Sequence, residues 1–210
     1  MKRFDALLDA LAAPEAPTSV HDRAHARNVH VEDSLAGLEV PELRDAGRIA
    51  DLGAGAGLPG LVLAIERPEA EVVLVESVGK KCAWMERTIE ALGLRNARVA
   101  CTRAEQLGEA PFDVVTARAL GSLAVLCEYA APLLREGGVL VAWKGAIDQA
   151  EEADALAAAR VLGLEYESVL SVEPYRGSEH RSLHVLRKIA PTPDRYPRRP
   201  GMAAKRPLRA

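Results

Sequence analysis

The stretch that decides the fold is Ile49–Ser77, "IADLGAGAGLPGLVLAIERPEAEVVLVES". A short apolar run ends in Asp51, Gly53, Gly55 and Gly57 alternate behind it, and "LPGLVLAIER" reads as a helix that tolerates Pro59 in its first turn. "AEVVLVES" is a β-branched strand that stops at Glu76 and Ser77. Strand, glycine turn, helix and strand make a βαβ unit whose turn lies at the carboxyl edge of a sheet, where open α/β sheets bind ligands. The dinucleotide spacing G-x-G-x-x-G/A is not kept. Counted from Gly53 the third required position is Leu58, and counted from Gly55 it is Gly60, next to a proline that removes an amide from the helix start. A pyrophosphate is therefore disfavoured against an adenosine that carries no phosphate. Glu76 is placed to accept hydrogen bonds from two ribose hydroxyls. Asp51 either offers its carboxylate to a cationic amino-acid portion or caps the glycine turn. S-adenosylmethionine (AdoMet) meets this description.

The alternation continues on both sides of that unit. Phe4, Leu7, Leu8 and Leu11 fall on one helical face, prolines in "AAPEAP" end that helix, and a second helical segment is expected over roughly Asp22–Leu38. "KKCAWMERTIEALG" reads as a helix closed by Gly93, and "ARVACT" and "FDVVTAR" as strands. "LAVLCEYAAPLLREGG" reads as a helix ended by Gly137-Gly138, "GGVLVAWKG" as a strand and "DQAEEADALAAARVLG" as a helix. "LEYESVLSV" and "RSLHVLRKI" close the series as strands joined without a helix. The pattern predicts an α/β fold, Rossmann-like, with a mostly parallel sheet covered on both faces and an antiparallel closing strand. The expected organisation is a helical extension over 1–40, one α/β domain over 41–190 and a basic tail over 191–210.

Composition narrows the function classes. The chain has 210 residues, 49% of them hydrophobic, enough for one sizeable core. No apolar run approaches the roughly 18–20 residues of a membrane span, and Asp5 and Asp9 interrupt the leading helix, so a cytoplasmic protein without membrane contact is expected. Cys82, Cys101 and Cys127 are scattered and suggest neither a disulfide framework nor a zinc site, and His21, His25 and His30 make no sound metal set. The formal net charge is -3, yet residues 187–210 hold eight Lys or Arg against Asp194, a formal +7 that leaves -10 on the first 186 residues. An acidic body with a basic tail suits phosphate contact through the tail, against the alternatives of a solvated end or a segment folded back on the sheet.

The motifs "DLGAGAGLPG", "VES.GKK", "TRAEQL", "FDVVTARAL" and "GGVLVAWKG", with "HVEDSL" at His30–Leu35 and the tail "APTPDRYPRRPG", resemble the bacterial RsmG (GidB) family. Those are the small-subunit ribosomal RNA methyltransferases that make 7-methylguanosine. The chain departs from the family upstream of "HVEDSL", where "APTSV" at Ala16–Val20 stands in place of the usual Asn-Leu-Thr. The resemblance implies a class I AdoMet-dependent methyltransferase fold with a seven-stranded sheet, AdoMet as cofactor, and 16S ribosomal RNA, free or within a small subunit or assembly intermediate, as partner of a monomer. It also implies that Gly53 and Leu58 line the AdoMet pocket, that Ala104 and Glu105 lie beside adenine, and that Arg118 stands at the ligand-facing end of the fourth strand. Arg118 and Lys144 are the candidate catalytic residues, Arg118 for the guanine edge or the methionine carboxylate and Lys144 for an RNA phosphate. Tyr196, Arg198, Arg199 and Lys205 are the candidate tail contacts to single-stranded RNA. Two other readings use the same features: a dinucleotide-dependent oxidoreductase and a noncatalytic RNA-binding protein.

Overall fold

The computed structural model describes residues 2–109, 111–146 and 148–210. The strands β1 (Arg48–Leu52), β2 (Glu71–Glu76), β3 (Ala97–Cys101), β4 (Phe112–Arg118), β5 (Leu134–Lys144), β6 (Leu164–Val172) and β7 (Arg181–Lys188) form one sheet of order β3-β2-β1-β4-β5-β7-β6. β1 to β5 pair in parallel, while β7 is antiparallel to both β5 and β6. The last strand therefore inserts between its two neighbours instead of adding to the edge. The apolar runs of the central strands leave no polar face, so the sheet must be covered on both sides.

The helices supply that cover. They are α1 (Lys2–Ala12), α2 (Arg23–Ala26), α3 (Asp33–Leu35), α4 (Pro41–Asp45), α5 (Gly60–Glu66), α6 (Gly79–Leu92), α7 (Leu123–Ala130), α8 (Gln149–Leu162) and α9 (Met202–Lys205). Alternate strand residues point to opposite faces. Ile49, Leu74, Val114 and Val141 meet Leu7, Leu11, Leu61 and Met85 on one face. Ala50, Val73, Val115 and Leu140 meet Leu126, Ala158 and Ala203 on the other. The N-terminal helices thus share a hydrophobic cluster with the sheet and do not stand apart from it.

Four expectations change. The helix read over Leu123–Gly138 stops at Ala130, because Pro132 cannot continue it, and β5 begins at Leu134, so the Gly137-Gly138 pair lies inside a strand. The helical segment near Asp22–Leu38 is interrupted by a π-helical stretch, Arg27–Glu32. Cys82 and Cys101 come together as a pair with Cα atoms 5.8 Å apart, a disulfide separation, because the crossover from β2 through α6 to β3 returns the chain to its neighbour. Finally, the basic tail is neither loose nor wholly solvated: Ala203 is buried, and Tyr196 and Leu208 pack against the α7 and α8 cluster. Among the described residues no helix is long and apolar enough to cross a membrane, and no group of three His, Cys, Asp or Glu could hold a metal ion.

Gly138 shows why the fifth strand needs glycine. A Cβ there would sit 2.7 Å from the Asp113 carbonyl oxygen and 3.1 Å from that of Phe112, both backbone atoms of the adjoining β4. Gly138→Ala is expected to cost about 1–3 kcal/mol through this overpacking. Urea unfolding measures it, and a loss below about 0.5 kcal/mol, the scale of an ordinary surface substitution, contradicts the close approach.

Candidate active site

The turn after β1 is held from below by Asp51. Its side chain is fully buried, with Oδ2 accepting the Gly60 N–H at 2.9 Å and Oδ1 accepting the Thr116 hydroxyl at 2.9 Å. Burial pushes the carboxyl up to about 6 against the opposing pull of those two donors and of the Arg118 charge. Asp51 therefore does not reach a ligand's amino group; it caps the glycine turn, the second of the two roles its position allowed. Above it Gly53, Gly55 and Gly57 take positive φ values of 65°, 59° and 77°. Of these only Gly53 lines the cavity, and a Cβ on it would lie 2.5 Å from the Leu120 side chain, so this backbone must stay bare for a ligand to pass. The Gly55 N–H turns to Glu76, while Gly57 and Leu58 pack into the hydrophobic cluster under the loop. The Leu58 side chain is thus directed to packing, which leaves its backbone as the part that could meet a ligand.

The cavity beyond Gly53 has a volume of about 250 Å³ and opens at the carboxyl ends of β1, β2 and β4. Gly53, Glu76, Ala104 and Glu105 all line it. Glu76 is 7% exposed. Its Oε1 accepts the N–H groups of Ser77 and Val78 at 2.7 and 2.9 Å, and Oε2 accepts that of Gly55 at 3.2 Å. Three backbone donors fix this carboxylate in place, and its remaining lone pairs face the cavity. Val75, Leu120 and Tyr129 supply apolar wall. Burial, aided by the charge of Glu105, pushes the Tyr129 phenol up to about 12, so it stays a neutral donor. The apolar wall of Val75, Leu120 and Tyr129 beside a fixed acceptor fits an adenine with its ribose diol. A cavity of about 500 Å³ at the opposite edge, lined by Lys188, Asp194 and Tyr196, has no glycine turn and no carboxyl end of a parallel strand around it.

Sequence reasoning missed Tyr129, Lys81, Arg103 and Leu120 as cavity residues; Lys81, Arg103 and Leu120 fall inside the motifs "VES.GKK", "TRAEQL" and "FDVVTARAL", whereas Tyr129 on α7 belongs to none. Ala119, also on the wall, takes φ 56°, an uncommon value for a residue with a Cβ. The signal for that turn was the "TARAL" motif, which named only Arg118.

Arg118 sits beside this cavity and not in it. Its Nη1 donates to Asp33 Oδ2 at 2.7 Å and to the Val29 carbonyl at 3.2 Å, so β4 is tied to the π-helical stretch. Asp33 also takes Arg181 Nε at 3.4 Å, and the Trp143 indole donates to its carbonyl at 2.8 Å. Asp33 is buried and bridges two arginines, a role no spacing announced. Nearby His30 is held at about 4 by burial and by the Arg118 charge, hence neutral at ordinary pH, and its Nε2 lies 2.9 Å from Thr18 Oγ1. Lys144 is committed to Glu151 at 2.6 Å and to the Gly121 carbonyl at 3.3 Å, and Glu151 accepts the Leu123 N–H at 2.8 Å. It anchors the loop before α7, which displaces the expectation of a catalytic or phosphate-binding lysine.

The tail residues divide. Arg198 is paired with the buried Glu128, and Tyr196 is half-buried and packs on the α7 side. Arg199 and Lys205 are exposed.

Comparison with known proteins agrees with this architecture. A family model described as "GidB: rRNA small subunit methyltransferase G" matches residues 1–181. A Rubrobacter xylanophilus protein named "Ribosomal RNA small subunit methyltransferase G" is 47% identical over 188 residues, covering 86% of this chain and 72% of that one. A Moorella thermoacetica protein of the same name is 38% identical over 196 residues, covering 91% and 82%. Among solved structures, an O-methyltransferase of a Brevibacillus brevis trans-AT PKS multienzyme, in complex with S-adenosyl-L-homocysteine, superposes with a TM-score of 0.61 at 14% identity, covering 87% and 79%. A TehB-like SAM-dependent methyltransferase from Corynebacterium glutamicum gives 0.56 at 20% identity, covering 79% and 91%. These two likenesses show the fold alone.

The raised carboxyl of Asp51 gives a prediction with a definite sign. The folded chain holds this proton up to about 6, whereas the unfolded value is about 3.9. The group's contribution to stability is therefore greatest below the unfolded value and declines as the pH rises through 6. Asp51→Asn leaves one of two buried donors without an acceptor, costing about 1–3 kcal/mol, and abolishes the decline. Urea unfolding of both proteins between pH 4 and 7 is expected to show the wild-type advantage shrinking as pH rises. An advantage that grows with pH contradicts the assignment.

Proposed function

The chain belongs to the rRNA small subunit methyltransferase G family, and from that premise we propose that it transfers a methyl group from AdoMet to guanine N7 of 16S ribosomal RNA, giving 7-methylguanosine and S-adenosylhomocysteine. The observation that carries the reading is the fixed Glu76 carboxylate facing the same cavity as bare Gly53 and the Ala104–Glu105 wall. Family membership removes the oxidoreductase and the noncatalytic RNA-binding protein from consideration. A ribosomal RNA substrate sets the work of this enzyme in the cytoplasm.

AdoMet supplies a methyl group activated by its sulfonium charge. The N7 lone pair forms the new N–C bond as the C–S bond breaks, the sulfur becomes a thioether, and the positive charge passes to the guanine ring. No proton has to leave first, so no general base is required. What the chain must do is hold the two reactants in line, from which most of the acceleration comes. Glu76 accepts from the ribose hydroxyls. Ala104, Glu105, Leu120 and Tyr129 enclose the adenine. Arg118, fixed by Asp33, orients the methionine carboxylate or the guanine edge from the end of β4, and its planar fork suits either. The exposed Arg199 and Lys205 meet RNA phosphates.

Methyl transfer from labelled AdoMet to naked 16S RNA, to assembly intermediates and to complete small subunits tests this, with the modified nucleoside identified by mass spectrometry. Labelled 7-methylguanosine is expected; label in another nucleoside, or none with any of the three, contradicts the proposal. Glu76→Ala is expected to weaken AdoMet roughly ten- to hundredfold, the equivalent of a charged hydrogen bond of about 1.5–3 kcal/mol. Calorimetry on the folded variant reads this directly, and unchanged affinity removes Glu76 from the ribose.

A further inference from the structure

Residues 191–210 cross the α7 face of the sheet from one edge to the other. They leave β7 at the amino edge, where Ile189 and Ala190 donate to the Gly163 carbonyl, and reach Glu105, which follows β3 at the carboxyl edge. Midway stands Glu128 on α7, 1% exposed, whose one ion pair among the described residues is with the strap. Arg198 answers it. The Arg198 Nε donates at 2.9 and 3.0 Å to the two carboxylate oxygens, Nη2 donates at 2.6 Å to Oε2, and the Arg198 backbone N–H donates at 3.0 Å to Oε1. The same Nη2 donates to the Arg206 carbonyl at 2.9 Å, which folds the segment around the guanidinium. Three residues on, the Gly201 N–H donates to Glu105 Oε1 at 2.8 Å. Glu105 lines the candidate adenosine cavity, and so does Tyr129, the residue next to Glu128.

We propose that this segment is a strap that positions the adenine-side wall of the cofactor pocket, with Arg198 as its positioning residue. A carboxylate at Glu105 has several rotamers open to it, and the Gly201 N–H selects one. Arg198, three residues earlier, pins the strap to α7 and so helps to hold that N–H in place. A buried ion pair of this kind is weak evidence for added stability, since its desolvation offsets most of the attraction. It does, however, fix one geometry for the segment, because leaving Glu128 buried without Arg198 is strongly unfavourable. The basic tail thus has two faces: an inner one that grips Glu128 and Glu105, and an outer one that presents Arg195, Arg199, Lys205, Arg206 and Arg209 to solvent.

The test compares Arg198→Lys and Arg198→Met with the double variant Arg199→Ser/Lys205→Ser in the full-length enzyme. Both Arg198 variants are expected to raise KM and Kd for AdoMet about 3- to 30-fold, the usual range for a residue acting through others. Their kcat at saturating AdoMet stays near wild type. Loss of folded protein alone would lower kcat and leave KM for AdoMet unchanged, so that outcome overturns the proposal. So does an AdoMet Kd within twofold of wild type for Arg198→Lys, which keeps the charge at Glu128 and serves if Arg198→Met does not fold. The double variant is expected to leave AdoMet affinity alone and to reduce the salt slope of RNA binding by about 1.4–1.8 for two phosphates. An unchanged slope removes the RNA role of the outer face and leaves the strap standing, since AdoMet binding is measured without RNA.

Discussion

The carboxylate of Asp51 is the interaction on which the rest of the site depends. One oxygen holds the hydroxyl of Thr116 on β4 and the other the amide of Gly60 at the start of α5, so a single buried side chain ties two strands to the first helix of the nucleotide-binding unit. The helix start cannot drift, and the loop between them, with three residues at positive φ, has one path to follow. That path brings the Gly55 N–H to Glu76 and leaves Gly53 bare at the mouth of the cavity. Burying a carboxylate without a cationic partner in contact is costly, and the two hydrogen bonds only offset part of it, as its raised proton affinity shows. The fold retains the cost because it sets the geometry in which the cofactor is held.

A second hub, Asp33, does for the methionine side what Asp51 does for the turn. It draws Arg118 from β4, Arg181 from β7 and Trp143 from β5 toward the N-terminal helices. The π-helical stretch ahead of it widens the helix by one residue, as π-bulges near functional sites do, and places the Val29 carbonyl against Arg118. Where the ordinary Asn-Leu-Thr of the family is missing, Thr18 still reaches His30. Catalysis by orientation demands such rigid supports, because N7 carries its own lone pair and the enzyme contributes chiefly position and field.

Much of this was legible in the residues. Short continuous apolar runs separated by helical ones led to the parallel sheet, and the glycine turn followed by Glu76 led to the sheet edge where the cavity opens. What stayed hidden depends on contacts between distant parts of the chain. "LLREGG" has the composition of a helix end, and only the approach of β4 to Gly138 shows that it is strand. Asp51 had two possible partners, and burial, which no local pattern reports, selected the backbone. Arg198 and Lys144 are charges in a basic context, and the acids that claim them, Glu128 and Glu151, lie on helices with no motif. The pairing of Cys82 with Cys101 likewise follows from strand adjacency and not from spacing.

The tail completes the proposed pocket, so that the exposed basic residues proposed to meet RNA phosphates and those shaping the adenosine wall share one segment. Cofactor and RNA sites built on one piece of chain are coupled wherever binding at one restricts the other. The most direct measurement is a crystal structure of the protein with S-adenosylhomocysteine. The account predicts both ribose hydroxyls on the Glu76 carboxylate, adenine between the Ala104–Glu105 turn and Leu120, and Gly201 still donating to Glu105. A ligand bound elsewhere, or bound in this cavity with the 198–201 strap detached from Glu128, contradicts it.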